Sequence, residues 1–460
     1  MLCLLALAWI HSVVTGGGRI GSGILAVSNR DAGRLALEFL LLGALRWLLA
    51  VPTRLFNLRQ QQNRPDRAIT RIPGTCPWSL VLAIVVLTRV LVWTAGWYGT
   101  ITATPNGVAE RDLALARSIT KPLEYLQGRW DAGWYASIAL YGYQWDPATP
   151  HVQQRVAFFP GYPLMMRGVG AVADSIASAL GVPDALGDHP GVRIESLGAL
   201  VSAVLFIVAL RLLWHLARSD LGEHRAWVVV LLAACWPFSY FFSAPYTESL
   251  YLLGLVGAFY FQRTGRWALA VWCGCIVGIT RQTGVLMCLP LFCEALSRPR
   301  EDGSRNTALW TAVAPLAGAS LYWLYLWETF GDPFLWVTAQ GAWSTVDRVA
   351  QWNGVHSFVQ YITLYPYDAV NQLAVAVAAV LVWRSRRVSR AYFVLGVIAL
   401  ALPVWMSVAP LGRMTAPIFP MYLGLASVLT TRTQVIGVLV VALTLQVIAA
   451  SAFYGWQPLY

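Results

Sequence analysis

Charge is scarce in this chain of 460 residues. Asp, Glu, Lys and Arg make up only 12% of it, about half of the roughly 25% usual in a soluble domain. With 57% of positions apolar, water is excluded as the main solvent and the bilayer is left as the natural one. Lysine is almost missing, Lys121 being the only one. Arginine use of this kind fits a GC-rich bacterial coding bias and carries no mechanism. Acidic residues are fewer than basic ones, and the net charge of +11 would suggest nucleic acid. The arginines, however, cluster in short loops between apolar runs, where the positive-inside tendency puts them on the cytoplasmic side. No nucleic-acid partner is therefore expected. Cysteine supplies seven residues, an odd number, and Cys235, Cys273, Cys275, Cys288 and Cys293 fall in apolar helices as small hydrophobes, so no disulfide framework follows. Neither Cys273-Gly274-Cys275 nor any His pair has zinc-ligand spacing. No metal or cofactor is expected, and the sequence offers no DxD pair that would argue otherwise.

What is present are runs of about 20 mainly apolar residues, the length of a spanning helix. Trp78 to Tyr98, Ile194 to Leu216, Leu309 to Trp327, Tyr392 to Val408 and Val435 to Phe453 all qualify. They are dispersed along the chain, which predicts an all-α polytopic membrane protein. Residues 1–74 stand apart as an N-terminal extension. Met1 to Val14 lacks a basic n-region and Ala36 to Val51 carries Arg46 near its middle, so neither is a clean span or signal peptide. The run Gly16 to Gly21 matches GxGxxG, yet no predicted strand precedes it and no βαβ unit follows, so it reads as a flexible turn.

Arg54, Arg59, Arg64, Arg67 and Arg71 form a basic linker just before the strong span at 78–98. That puts the linker inside and Tyr98 outside, and the membrane domain over 75–460. The same rule makes Arg218–Arg225, Arg263–Arg266, Arg298–Arg305 and Arg384–Arg390 cytoplasmic. Four polar segments then face outward: a large first loop region at 99–193, the turn Ser243–Ser249, the turn Thr280–Gly284, and 330–365. A short turn at 409–417 joins them. The apolar stretches flanking Thr280–Gly284 are only about 14 residues each, too short to cross alone, so broken helices are expected there. Residues 156–180 are expected to be re-entrant or interfacial.

The first outer loop holds Arg129-Trp130-Asp131, Trp134-Tyr135, Tyr141, Tyr143, Phe158 and Tyr162. Aromatics of this density form an interfacial belt in many membrane proteins, and residue type alone favours that reading. Asp131 among them shifts the balance, because a carboxylate at the water–lipid boundary can serve a reaction between a lipid-borne donor and a hydroxyl. Its bland alternative is the N-cap of a helix over Ala132–Leu140, which is the readier reading on residue type. The two roles are compatible.

The ordered set Arg129-Trp130-Asp131 with Gly142-Tyr143, Ala157–Pro160 with Tyr162-Pro163, Ser243–Ser249, Thr280-Arg281 with Gly284, and Gly412-Arg413-Met414 with Phe419-Pro420 resembles the PIG-V mannosyltransferase family. This family includes bacterial relatives of the second mannosyltransferase of glycosylphosphatidylinositol anchor synthesis. The likeness covers roughly residues 75–430 and departs near Trp352-Asn353-Gly354. It implies a GT-C type glycosyltransferase fold, with roughly 11–13 membrane helices and a large first extracytoplasmic loop. It also implies a polyprenyl-phosphate sugar donor, typically mannose, and an inverting transfer with Asp131 as catalytic base. The other partners would be a lipid or glycan acceptor and the membrane lipids. The enzyme would lie in the cell membrane with its active site on the extracytoplasmic face.

Inverting transfer is one displacement at the anomeric carbon, so the acceptor hydroxyl loses its proton as the lipid phosphate leaves. A carboxylate can take it, and positioned general-base help is typically worth about 10² to 10⁴ in rate. Fixed cations would stabilise the departing phosphate. Arg281 and Arg413 are the candidates, with Arg129 as a third, and for each the alternative is snorkelling or an ion pair. Glu248 supports Asp131, orients an acceptor or pairs with Arg281, pairing being favoured for a carboxylate buried near a membrane. Trp130 and Tyr246 are candidates to stack on the sugar, and Tyr162 completes the substrate-binding set. A transporter or lipid flippase would share the spans and broken helices. The acidic side chains, however, lie mostly in loops or at helix ends rather than inside the spans, and the two halves show no convincing repeat. A non-catalytic partner of a glycosylation complex is the third class.

Overall fold

The computed structural model describes residues 19–20, 27–28, 76–102, 126–181, 189–299, 303–343, 366–405, 411–457 and 459. Expectations for the basic linker, for Trp352-Asn353-Gly354 and for the rest of the N-terminal extension lie outside these residues. Within the extension, Arg19–Ile20 (β1) pairs antiparallel with Val27–Ser28 (β2). The Gly-rich run thus carries a two-residue strand inside it rather than before it. All other regular structure among the described residues is helical.

Five helical stretches are long and apolar enough to cross a membrane. They are α1 (Trp78–Thr102), α4 (Pro190–Leu221), the pair α9 (Ser304–Thr311) and α10 (Ala314–Phe330), α12 (Pro366–Ser385), and α16 (Arg432–Tyr454). Shorter apolar helices accompany them: α7 (Trp267–Thr280), α8 (Cys288–Leu296), α13 (Arg390–Trp405) and α15 (Phe419–Val428). The helices α5 (Glu223–Cys235) and α6 (Glu248–Arg263) also belong to the bundle. The protein is a multi-pass helical membrane protein.

The sequence of α1 shows why such helices sit at the rim of the bundle. Val81, Ile84, Val85, Thr88, Val92 and Ala95 are buried, whereas Leu82, Val86 and Val90 recur every four residues on the opposite face and are exposed. Both faces are apolar, as a helix between protein and lipid requires. By contrast α5 buries every residue from Ala226 to Cys235, so it is an inner helix surrounded by others.

Close crossings depend on small residues. On α7, Gly274 and Gly278 are spaced as GxxxG and face Ala314, Pro315 and Ala319 of α10, while Gly318 of α10 lies against the Cys275 carbonyl. Bare backbones approach here because lipid offers no hydrophobic drive and dense packing replaces it. The expected break after Thr280 is present: α7 has 14 residues, a 3₁₀ segment Gln282–Met287 follows, and α8 continues for nine. Gly284 presses on the Val277 carbonyl, which closes the turn.

Residues 156–180, expected to be re-entrant or interfacial, take in the end of a 3₁₀ turn at Arg155–Ala157 and the helix α3 (Gly161–Ala179). All of the residues α3 buries, Tyr162, Pro163, Met166 and Gly170, lie in its first half. It is not among the helices apolar enough to cross. The preceding helix α2 (Ala132–Tyr141) packs against α3 and α4. Two short helices, α11 (Leu335–Gln340) and α14 (Leu411–Thr415), and the 3₁₀ segments Ser239–Ser243 and Gly341–Trp343 complete the described elements.

The two ends of α6 fix the polarity of the bundle. At its last turn Arg263 pairs with Asp220 at 2.7 Å and with Glu294, and the Tyr392 hydroxyl donates to Asp220 at 2.7 Å. This joins α4, α6, α8 and α13 at the end that carries the arginine-rich loops. At its first turn stands Glu248, roughly 22 Å away at the α-helical rise.

Candidate active site

Four charged side chains from four segments meet at the Glu248 end. Glu248 is fully buried, and its Oε1 accepts from both Arg281 Nη2 and Arg413 Nε. Arg413 turns its other edge to Asp131, with Nη1 at 2.7 Å from Oδ2. Two carboxylates and two guanidiniums thus form one chain, Arg281–Glu248–Arg413–Asp131, with no net charge. Such balance is what allows ionised groups to stay in a low-dielectric interior. Side-chain exposure is 0% at Glu248, 4% at Arg413 and 30% at Asp131. The chain therefore opens to its surroundings at the carboxylate of Asp131.

Each member is held by its local structure. Arg281 is the residue at which α7 stops and the 3₁₀ turn starts. Its Nε donates to Thr247 Oγ1 at 2.8 Å, and the guanidinium lies over the Tyr251 ring at 5.2 Å. Arg413 is on α14, where Gly412 N donates to Asn371 Oδ1 at 3.1 Å. A Cβ at position 412 would meet the Phe238 ring and Asn371 Oδ1, so glycine there lets α14 dock closely. The Arg413 guanidinium lies 4.4 Å from the Tyr246 ring centroid and donates to the Tyr135 hydroxyl at 3.3 Å. Aromatic faces favour a cation in this position.

Asp131 does occupy the N-cap position of α2, but its side chain makes no cap hydrogen bond. Its backbone is helical, with φ −67° and ψ −13°, rather than the extended conformation of a capping residue. The carboxylate is taken by Arg413 instead, which corrects the capping reading. Just before it, Trp130 has φ 53°, a left-handed conformation costly for a bulky residue. The Tyr246 hydroxyl donates to the Arg129 carbonyl at 2.8 Å and accepts from Asp131 N at 3.1 Å.

Burial bears on three further candidates. Arg129 is buried and sends Nε to the Tyr454 carbonyl at 2.9 Å, where a cation suits the C-terminus of α16. It is tied to backbone instead of standing ready for a phosphate. Tyr246 is fully buried beneath Arg413, so its ring has no free face for a sugar. Burial first, then the nearby Asp131 carboxylate, push its phenol well above the usual range, so it stays a neutral hydroxyl. Tyr162 is also fully buried, its hydroxyl 3.0 Å from the Gly198 carbonyl and 2.8 Å from Ser202 Oγ, and its ring packs edge-on against Tyr135. It supports the site from behind. Trp130 keeps some exposure and packs on Trp456 at 5.2 Å. The Glu248–Arg281 pair stands as expected. Thr247, Tyr454 and Trp456 lie beside these residues without having been singled out, and Tyr135 had been named only among the loop's aromatics.

Residues 79–324 match the family described as Mannosyltransferase (PIG-V). This chain belongs to that family. The matched range takes in Asp131, Glu248 and Arg281, while Arg413 comes from beyond it. PIG-V relatives include the GPI mannosyltransferase 2 of Cryptococcus neoformans var. neoformans serotype D in two strains, each 30% identical over 171 residues. Each match takes in 36% of this chain and 36% of the relative, so about a third of the length of those curated relatives is spanned. Among solved structures the PIG-V chain is similar to an Archaeoglobus fulgidus oligosaccharyltransferase in complex with Zn and sulfate. The TM-score is 0.43 at 13% identity, covering 83% of this chain and 53% of that one. The same oligosaccharyltransferase, tethered to an acceptor peptide, gives a TM-score of 0.44 at 14% identity over 83% and 55%.

Proposed function

We infer that this protein is an inverting mannosyltransferase of GT-C type, which moves mannose from a polyprenyl-phosphate carrier to a hydroxyl of a lipid or glycan. The observation that carries the reading is the buried chain Arg281–Glu248–Arg413–Asp131, which ends in the carboxylate left 30% exposed. Asp131 is the general base. The acceptor hydroxyl gives it a proton while the acceptor oxygen bonds to the anomeric carbon. The bond from that carbon to the phosphate oxygen breaks, and its electron pair leaves with the lipid phosphate. One negative charge is lost at Asp131 as one is gained on phosphate, so the total charge of the site is unchanged through the step.

Arg413 suits the transfer because it already faces Asp131. A phosphate arriving beside it competes for Nη1, and Arg281, held by Glu248 and Thr247, supplies a second cation. Both guanidiniums are fixed before the reaction, so stabilising the developing charge requires little reorganisation. Trp130 is the aromatic best placed against a sugar, being the partly exposed ring next to Asp131.

The site lies at the end of α6 opposite the arginine-rich loops, which supports an extracytoplasmic active site by the positive-inside rule. A reporter fused after residue 145 should read extracytoplasmic, and a cytoplasmic signal would invert the assignment. Activity is tested with purified protein and labelled polyprenyl-phosphate mannose, asking which lipid or glycan becomes labelled. Asp131→Asn should express and bind donor as before while transfer falls by about 10² to 10⁴. Full turnover by that variant removes Asp131 from the base role.

A further inference from the structure

The two non-glycine residues with positive φ among the described residues are Trp130, at 53°, and Trp456, at 60°. They are 326 positions apart in sequence, yet their rings touch at 5.2 Å between centroids. The Arg129 guanidinium lies over the Trp456 ring at 5.3 Å while its Nε holds the Tyr454 carbonyl. Among the described residues, left-handed backbone at non-glycine positions is thus gathered at one spot beside Asp131. Conformations of this kind cost of order 1–3 kcal/mol each and persist only where the surroundings over-determine them.

The restraint on Trp130 is visible. The Tyr246 hydroxyl takes the N–H that follows Trp130 and gives its proton to the carbonyl that precedes it, so one oxygen closes the turn from both sides. The Tyr246 ring is fixed in turn by Phe241 at 5.1 Å, Phe453 at 6.0 Å and Tyr135 at 5.9 Å. Because Asp131 N is one of the two clamped groups, the clamp sets where the Asp131 side chain leaves the backbone. Without it, Trp130 can relax toward negative φ and swing the carboxylate off Arg413.

We propose that Tyr246 is a positioning residue for Asp131, its hydroxyl holding Trp130 left-handed so that the carboxylate is presented at a fixed place. The proposal rests on Asp131 being the base. It reassigns Tyr246 from contact with the sugar to control of the base, and it predicts a defect in turnover without one in donor affinity, since a misplaced catalytic group costs rate and not binding.

The test uses full-length protein in detergent, tritiated polyprenyl-phosphate mannose and a fixed membrane lipid extract as acceptor. Tyr246→Phe keeps the ring under Arg413 and deletes only the clamp. Its kcat should fall by roughly ten- to a hundredfold with KM for the donor unchanged within about twofold. Combined with Asp131→Asn, it should slow the reaction no further than Asp131→Asn alone, because Tyr246 acts only through that carboxylate. Undiminished kcat, a rise in donor KM in place of the kcat loss, or losses that multiply in the double variant would each overturn the assignment. If Asp131→Asn itself turns over normally, the base reading fails and takes this one with it. If Asp131→Asn is dead while Tyr246→Phe is fully active, only the positioning role fails.

Discussion

Arg413 Nη1 stands 2.7 Å from Asp131 Oδ2 although 282 residues separate them in sequence. Through this contact the segment that carries Asp131 is tied to the buried Glu248 at the head of α6. Arg413 also has the Tyr246 ring at 4.4 Å and the Tyr135 hydroxyl at 3.3 Å. One guanidinium therefore links the candidate base, the buried counter-charge and the aromatic wall.

Replacing Arg413 by Gln leaves Asp131 without its cation and Glu248 with only Arg281. Removing one partner of a buried pair is costly because the other charge stays behind, and a loss of about 3 kcal/mol in stability is expected. Arg413→Lys retains the charge but not the fork that reaches two carboxylates at once. It should melt closer to the native protein yet transfer label at least about tenfold more slowly. Thermal melting in detergent together with the transfer assay separates the two effects. Native activity in the Lys variant would show that the two-edged geometry is not needed.

A methyl group added at Gly278 would meet the backbone carbonyl of Pro315 and the nitrogen of Ala319. Backbone atoms cannot rotate away as a side chain can, so the α7–α10 crossing must open. Gly278→Ala should cost at least about 3 kcal/mol, at the upper end of overpacking penalties. Gly437→Ala on α16 is the control, since nothing lies within 4 Å of its added Cβ, and it should be neutral or slightly stabilising. Equal melting of the two variants would contradict the close crossing.

Tyr143 and Tyr246 give a pH dependence of definite sign. Burial first, and then the neighbouring Tyr322 for Tyr143 and Asp131 for Tyr246, hold both phenols well above their ordinary range. The folded protein thus keeps protons that the unfolded chain releases. The stability involved is fully present below a pH of about 10 and is lost as pH rises toward the higher folded values. The melting midpoint should fall above pH 10, and less steeply in Tyr246→Phe. A flat profile from pH 9 to 11 in the native protein would contradict this burial.

Much of the architecture was legible before any coordinates. Trp78 to Tyr98, Ile194 to Leu216 and Val435 to Phe453 became α1, α4 and α16 with ends extended by a few residues. The short stretches beside Thr280 became the broken pair α7 and α8. The GxxxG spacing of Gly274 and Gly278 was in the sequence too, but which helix faces it is not encoded in the spacing. Asp131, Glu248, Arg281 and Arg413 could be named because each lies in one of the ordered segments that resemble the PIG-V family, in a chain where charge is rare. Tyr454 and Trp456 could not, because an aromatic at a helix end looks the same whether it braces a site or anchors in lipid.

What the sequence determined by itself is the solvent of the protein, most of its long apolar helices, and the few residues able to carry charge. These follow from local quantities: apolar length and residue type. Only the tertiary structure decided how the charges are spent. It turned Asp131 from a helix cap into the exposed end of an ionic chain, drew Arg129 to the end of α16, and put the Tyr246 hydroxyl on both sides of Trp130. Each depends on contacts across more than a hundred residues, where one chain of packed helices chooses among several partners that are locally equivalent.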